Sequence, residues 1–327
     1  MGQSQALITE EERLRDSTQG GGQIQGRSPW QLFWTRFIRD RAAIAGFVLI
    51  VELVLIAICA PLFAKLAGHG ANQLFDNMTT SIGLPLGPNS HFWFGGDNVG
   101  RDLFVRTMYG VRTSLIVALI STGFSVIIGV FLGIVAGFFG GPVDTVISRA
   151  VDIVMSLPIL LFALGLAAAC ALKPCLFGLI QPGLFLPVVI ISAVNWTYIA
   201  RIVRGQTISL REREFIEAAR SLGSSNSRIM FRELLPNLAA PIIVYSTLII
   251  PSNILFEAAL SFLGVGVPQQ IPSLGRMLSD ASGTQLFTVA WWMMVYPGLF
   301  LVLMTLAFNL VGDGLRDALD PRGSRAT

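Results

Sequence analysis

Between Arg112 and Asp144 the chain runs 31 residues without one charged side chain. A helix of about 20 apolar residues crosses the roughly 30 Å hydrocarbon core of a bilayer. Inside lipid, no water is present to satisfy a broken backbone hydrogen bond, so such a run must be helical or part of a closed barrel. Five other runs have the same character. The six expected spans are 42–64, 113–139, 153–172, a segment within 184–200, roughly 237–256 and roughly 289–311. Composition agrees. Charged residues make up 13% of the chain, against about 25% in soluble domains. Mean hydropathy is +0.66. These values exclude a disordered chain, a nucleic-acid-binding domain and an ordinary soluble enzyme.

The expected fold is an all-α membrane protein with six transmembrane helices. Segment 1–27 is expected as a flexible cytoplasmic N-terminus and 28–41 as an interfacial amphipathic helix. The first transmembrane helix is 42–64, and 65–112 an extracytoplasmic loop. Residues 113–312 hold the other spans and a polar loop at 201–236, and 313–327 form a cytoplasmic C-terminus. Long apolar runs begin only at Ala42, too late for an ordinary cleaved signal. Pro158, Pro241, Pro251 and Pro297 fall inside spans, where neighbouring helices can satisfy the freed carbonyls. Kinks are expected there. Seventeen of the 23 lysines and arginines fall on the side that holds both termini, which the positive-inside rule places in the cytoplasm.

Several residue types narrow the chemistry. The two lysines, Lys65 and Lys173, are followed by Leu66 and Pro174, so neither completes the Gly-Lys-Ser/Thr of a phosphate loop. The chain has no metal-ligand spacing. His69 and His91 lack a matching nucleophile constellation. Cys59, Cys170 and Cys175 read as packing residues, with a Cys170–Cys175 disulfide open in an oxidising compartment. Trp30, Phe33, Trp34, Phe37 and Ile38 share one helical face ahead of the first span, as in a helix lying along the inner leaflet. Gly129, Gly133 and Gly137 line one face of the second span, where they either admit a close neighbouring backbone or line a pathway.

Two intramembrane carboxyls stand out. A charge at mid-span costs roughly 2.5–3.5 kcal/mol on insertion scales, so Glu52 is not expected to face lipid. It either faces a pathway, bonds a partner subunit, or is buried and paired. Glu257, at the outer end of the fifth span, carries the same alternatives. On the outer side, Gly95-Gly96-Asp97-Asn98 is turn chemistry. Asp97, Arg101 and Asp102 either brace that turn through local ion pairs or meet a binding protein.

The polar loop reads as helix, turn, helix. Phe215, Ala218, Ala219 and Leu222 recur at helical spacing. Gly223 suits a left-handed cap, and Ser224 or Ser225 the next N-cap. Such a helix either docks in a groove of a partner or is an ordinary surface hairpin.

Here the residues meet a family. Glu217-Ala-Ala, three residues, Gly223, and then Leu235-Pro236 twelve residues on resemble the EAA motif of ABC importer permeases. Glu233 stands where that motif has Ile. Phe94 to Phe104 with Tyr109 to Leu115, then Glu257 to Gly264 and Asn309 to Pro321, resemble signatures of the C-type permease of dipeptide and oligopeptide importers. Gly96 replaces the usual Thr of the first. The resemblance covers about 28–322. It implies a type I ABC importer permease fold with a cytoplasmic coupling-helix hairpin. It also implies a homologous second permease, two ATPase subunits holding ATP and Mg, an extracytoplasmic peptide-binding protein and surrounding lipid as partners. No nucleic acid and no cofactor of its own are expected. Phe215, Ala219 and Leu222 are the implied ATPase contacts, and Glu217 either pairs with a basic group there or caps locally. Shifting an inward/outward equilibrium from 1:99 to 99:1 takes about 5.5 kcal/mol. Two or three apolar side chains in a groove, at about 1.5–3 kcal/mol each, can transmit that. Nickel chelates, opines or oligosaccharides are alternative cargoes. A proton-driven carrier using Glu52 is a further alternative, though no inverted repeat supports it.

Overall fold

The computed structural model describes residues 29–170, 183–283 and 286–319. Segment 1–27, Lys173, Cys175, the side chain of Trp30 and most of 313–327 lie outside the described residues. Within them the chain is helical, and its only β pairing is two isolated bridges, Thr79 with Pro85 and Gly96 with Asp102.

Helix α1 (Pro29–Arg39) does not lay its whole aromatic face on lipid. Phe33 and Phe37 are buried against Ala43, Val311 and Ala318, while Trp34 and Ile38 stay exposed. Asp40 then caps α2 (Arg41–Ala67), its Oδ1 accepting from the N–H of Ala42 at 2.9 Å and of Ala43 at 3.3 Å. α2 closes at Gly68, which takes φ +73°, a conformation open to glycine without Cβ strain.

α3 (Leu103–Phe139) begins ten residues before the expected start at 113. Asp102 caps it by accepting from Phe104 and Val105. Arg106 and Arg112 make this stretch read as loop, but Arg106 is folded into the protein, where its Nη1 donates to Ala71 O and Asn72 Oδ1. At 37 residues, α3 is about 55 Å long, so it rises well beyond the bilayer core on one or both sides. The expected loop 65–112 shrinks accordingly to 68–102.

The expected span 153–172 is broken. α4 (Gly141–Ser156) and α5 (Ile159–Cys170) meet at 86°. Pro158 removes a backbone N–H and its ring forbids a continuous helix. Leu157 before it is extended, at φ −79° and ψ 137°, as pre-proline residues prefer. Among the described residues five helices are long and apolar enough to cross a membrane, and the broken pair is a sixth crossing only if counted as one.

α6 (Phe185–Arg211) runs eleven residues past the expected end at 200. Its charges are matched by α4, which lets the helix continue. Arg204 Nη2 donates to Asp144 Oδ2 at 2.7 Å, and Arg201 Nη2 lies 3.0 Å from Asp152 Oδ1. Arg211 Nη1 donates to the carbonyls of Gly137 and Phe138, satisfying the last turn of α3. Next come α7 (Glu214–Ser221), a single turn at Asn226–Arg228 and a π-helical stretch at Ile229–Leu234. The π stretch leads into α8 (Leu235–Phe262), and the wider turn makes room for Pro236 just inside it. α9 (Leu274–Gly283) and α10 (Trp292–Leu319) complete the fold. A core of Leu53, Leu115, Ile254, Met277, Met304 and Phe308 joins α2, α3, α8, α9 and α10.

α3 packs on α6 more extensively than any other pair. The three glycines make that possible. A Cβ on Gly129 would lie 2.6 Å from Ile199 Cβ, on Gly133 2.7 Å from Ala200 O, and on Gly137 2.7 Å from Thr207 Cβ. All three serve close packing rather than a pathway. Gly133→Leu is therefore expected to cost about 1–3 kcal/mol or more by overpacking. Its thermal midpoint in detergent should fall by several degrees, whereas Gly123→Ala, whose Cβ would meet nothing within 4 Å, should melt as the parent does. Equal melting of the two would contradict the close seam.

Candidate functional site

α7 stands beyond the apolar spans on a short hairpin. Arg213 precedes it in an extended conformation, Glu214 and Glu217 occupy its first turn, and Arg220 its last. This charge order suits the helix dipole. The N–H of Leu222 donates to Ala218 O, that of Gly223 to Arg220 O and that of Ser224 to Ala219 O. Gly223 takes φ +78°, and Ser225 Oγ accepts from the N–H of Arg228 at 3.4 Å.

One side of α7 is fixed to the bundle. Ile216 is fully buried in a cluster with Phe138 of α3, Val203 of α6 and Leu234, and Ala219 packs beside it. The Arg220 guanidinium lies 5.6 Å over the Phe138 ring. The other side is open. Leu222 is 86% exposed and Phe215 38%, and Glu217, Ala218 and Gly223 are exposed with them. Ala219 is half-buried and packs on the Ile216 cluster, so it lies between the open and the anchored side of the helix. This eight-residue helix and its C-cap Leu222 carry two adjacent apolar stripes, Phe215/Ala218/Leu222 and Ile216/Ala219, and periodicity alone does not say which one turns in.

A second feature is a cleft of about 530 Å³ between α5, α6 and α8. Asn195, Tyr198, Tyr245, Ser252, Ile159 and Phe256 are among its lining residues, and none of its lining residues is charged. Asn195 is held from behind. Its Nδ2 donates to Asn253 Oδ1, and Asn253 Nδ2 donates to Thr122 Oγ1 at 2.7 Å, linking α6, α8 and α3. Sequence reasoning missed this ladder. The available signal was two amides inside apolar spans, which must find partners there.

The two intramembrane carboxyls separate. Glu257 is fully buried and accepts from three serine hydroxyls, Ser114 at 2.7 Å, Ser261 at 2.8 Å and Ser273 at 2.9 Å. It ties α3, α8 and the approach to α9 together, so the pathway alternative for Glu257 is corrected. Glu52 lies on the exposed face of α2 among Val48, Val51 and Leu55. It points away from the chain's own bundle.

Asp97, Arg101 and Asp102 are all buried. Asp97 Oδ1 accepts from the N–H groups of Val99 and Arg101, and its Oδ2 from Arg101 Nε at 2.6 Å. Asp102 Oδ2 lies 2.6 Å from His69 Nδ1, and the His69 ring stacks on Phe92 with centroids 4.4 Å apart. These side chains brace the turn and the start of α3. Buried as they are, they offer no surface to a binding protein, which corrects that alternative.

Residues 129–325 match the family described as binding-protein-dependent transport system inner membrane component, and 28–79 match the N-terminal TM domain of oligopeptide transport permease C. The chain is 40% identical over 295 residues to the dipeptide transport system permease protein DppC of Alkalihalophilus pseudofirmus, covering 90% of each. It is 38% identical to the oligopeptide transport system permease protein OppC of Haemophilus influenzae, over 92% of this chain and 91% of that one. The OppC of Escherichia coli is 39% identical, over 92% and 93%. A solved structure, of the MetNI methionine ABC transporter in inward-facing conformations, shares the fold. Its TM-score is 0.51 at 20% identity, over 64% of this chain and 94% of that chain. The chain therefore belongs to the binding-protein-dependent transport system inner membrane components, as a multi-pass permease subunit of an ABC importer.

Proposed function

We propose that this chain forms half of a translocation pathway for dipeptides and oligopeptides through the cytoplasmic membrane of a prokaryote. A homologous permease supplies the other half. Two ATPase subunits, which hold ATP and Mg, drive it, and an extracytoplasmic binding protein delivers the peptide. Both termini lie in the cytoplasm, as the bias of 17 of 23 basic residues supports. The relatives named as dipeptide and oligopeptide permeases support the cargo class.

The observation that carries the reading is the anchored, half-open α7. Phe215, Ala218 and Leu222 lie exposed on a helix whose opposite side is locked into the bundle by Ile216. An ATPase groove that covers the open face pushes on the permease through a rigid lever. Burying a leucine is worth about 1.5–3 kcal/mol, and each 1.4 kcal/mol is about a tenfold change in affinity. Leu222→Asp should leave the protein inserted and folded, since the side chain makes no core contact. ATPase co-purification should fall roughly ten- to hundredfold, and labelled dipeptide uptake should fall with it. Retention of both would refute the docking role.

The uncharged cleft suits a cargo recognised by backbone amides rather than by side-chain charge. Tyrosine hydroxyls and the Asn195 amide can exchange hydrogen bonds with any peptide, whatever its sequence. Glu52, on the outer face of α2, is assigned to the partner permease, because a carboxylate there needs a polar neighbour. Ser252 is exposed in the cleft, so Ser252→Trp should fill much of it. Peptide uptake should drop at least tenfold while ATPase co-purification stays intact. Unchanged uptake would remove the cleft from the pathway, and uptake of nickel chelates, opines or oligosaccharides in place of peptides would replace the cargo class.

A further inference from the structure

The extracytoplasmic turn gathers three arginines around two aspartates. Arg106 interacts electrostatically with Arg101, Asp97, Asp280 and Arg276. It is fully buried, and Asp97 and Arg101 are nearly so. Asp102 does not balance the surplus, because it is taken up by His69 and the first N–H groups of α3. Burial pushes the Asp280 carboxyl above its ordinary range, although Arg276 and Arg101 draw it down. Asp97 and Asp280 together offset two of the three guanidinium charges, and one positive charge remains.

Hydrogen bonding leaves the same excess. Arg106 Nη1 donates to Ala71 O at 3.1 Å and Asn72 Oδ1 at 2.9 Å. Arg106 Nε and Nη2, Arg101 Nη2 and Arg276 Nε are buried without an acceptor. Arg106 Nε lies 3.4 Å from Asp97 Oδ2, and Arg276 Nε 3.3 Å from Asp280 Oδ1, near enough for ion pairs but out of hydrogen-bonding line. Charged donors buried without acceptors are costly, and buried charge is normally paired. Arg276 is the partly exposed member of the group, with 23% of its side chain accessible.

We propose that one small monovalent anion, chloride under ordinary conditions, sits among Arg101, Arg106 and Arg276 and pins the 68–102 loop to α3 and α9. A carboxylate from another protein is too large to reach Arg106, because that side chain has no exposed surface. An ion that enters past the partly exposed Arg276 is not so limited.

The full-length chain, purified with the subunits that accompany it, is melted in sodium chloride, sodium bromide and sodium gluconate at equal ionic strength. A ligand that binds only the folded state raises the midpoint in proportion to its occupancy. Chloride and bromide should raise it by roughly 2–4 °C over gluconate, with saturation. Arg276→Gln should abolish that difference, while Arg112→Gln, at an exposed arginine nearby, should keep it. Identical midpoints for the parent chain in all three salts overturn the proposal, as does a halide shift that survives in Arg276→Gln. Should Arg276→Gln fail to fold, anomalous scattering at the bromine edge decides: a peak between the three guanidinium groups supports the site, and its absence refutes it.

Discussion

The approach of α3 to α6 sets the position of everything else. Three glycines at four-residue spacing remove the side chains that would hold the backbones apart, and Ile199, Ala200, Val203 and Thr207 fill the space left. In lipid, apolar side chains gain nothing by leaving one apolar medium for another, so close van der Waals contact must hold helices together. The seam is continuous from mid-span to the end of α3, where Arg211 takes the last carbonyls. Both candidate features rest on it. The cluster that receives Ile216 is built from the ends of α3 and α6, and one wall of the cleft is the next face of α6.

Charges placed where apolar residues are expected explain most of the remaining architecture. Asp144 and Asp152 on α4 meet Arg204 and Arg201 on α6, so a helix that could not enter lipid alone is held against one that does. Pro158 then turns the chain at 86° before α5. On the opposite side, Asp97, Arg101 and Arg106 build the turn that starts α3, and the caged Glu257 joins three segments through serine hydroxyls. Each case follows the same rule. A charge or carboxyl removed from water persists only where the protein supplies its partners.

The spans were legible because lipid forces long uncharged runs to be helical, and the helix–Gly223–helix hairpin because its cap chemistry is local. Three things were not. The start of α3 was hidden because Arg106 looks like a loop residue until Asp97, Ala71 and Asn72 are brought to it from other parts of the chain. The break near Pro158 was expected only as a kink, since the partners that make a right-angle turn tolerable lie some 50 residues further on, in α6. The inward stripe of α7 is ambiguous because Ile216 and Ala219 differ from Phe215 and Ala218 by one position, and only the bundle decides between them. The Asn195–Asn253–Thr122 ladder depended likewise on contacts between residues 58 and 131 positions apart.

A mechanical consequence joins the hairpin to the cleft. Ile199 belongs both to the cluster around Ile216 and to the cleft lining. From Ile199 to Arg211 is a single uninterrupted stretch of α6, about 18 Å at roughly 1.5 Å per residue. Close-packed interiors transmit displacement because they have little free volume to absorb it. On the proposed reading, a motor seated on Phe215, Ala218 and Leu222 moves Ile216, and Ile216 moves the base of α6. The glycine seam keeps α3 with it, so the two helices shift as one body. α8 enters the same cluster through Leu238, just after Leu234 of the π stretch, and it carries Tyr245 and Ser252 on the far wall of the cleft. Between those walls α8 contains Pro241 and Pro251, where the hydrogen-bond ladder is interrupted. The compliance of the cleft is therefore concentrated in α8 and at the Pro158 break, while α3 and α6 move as one rigid body.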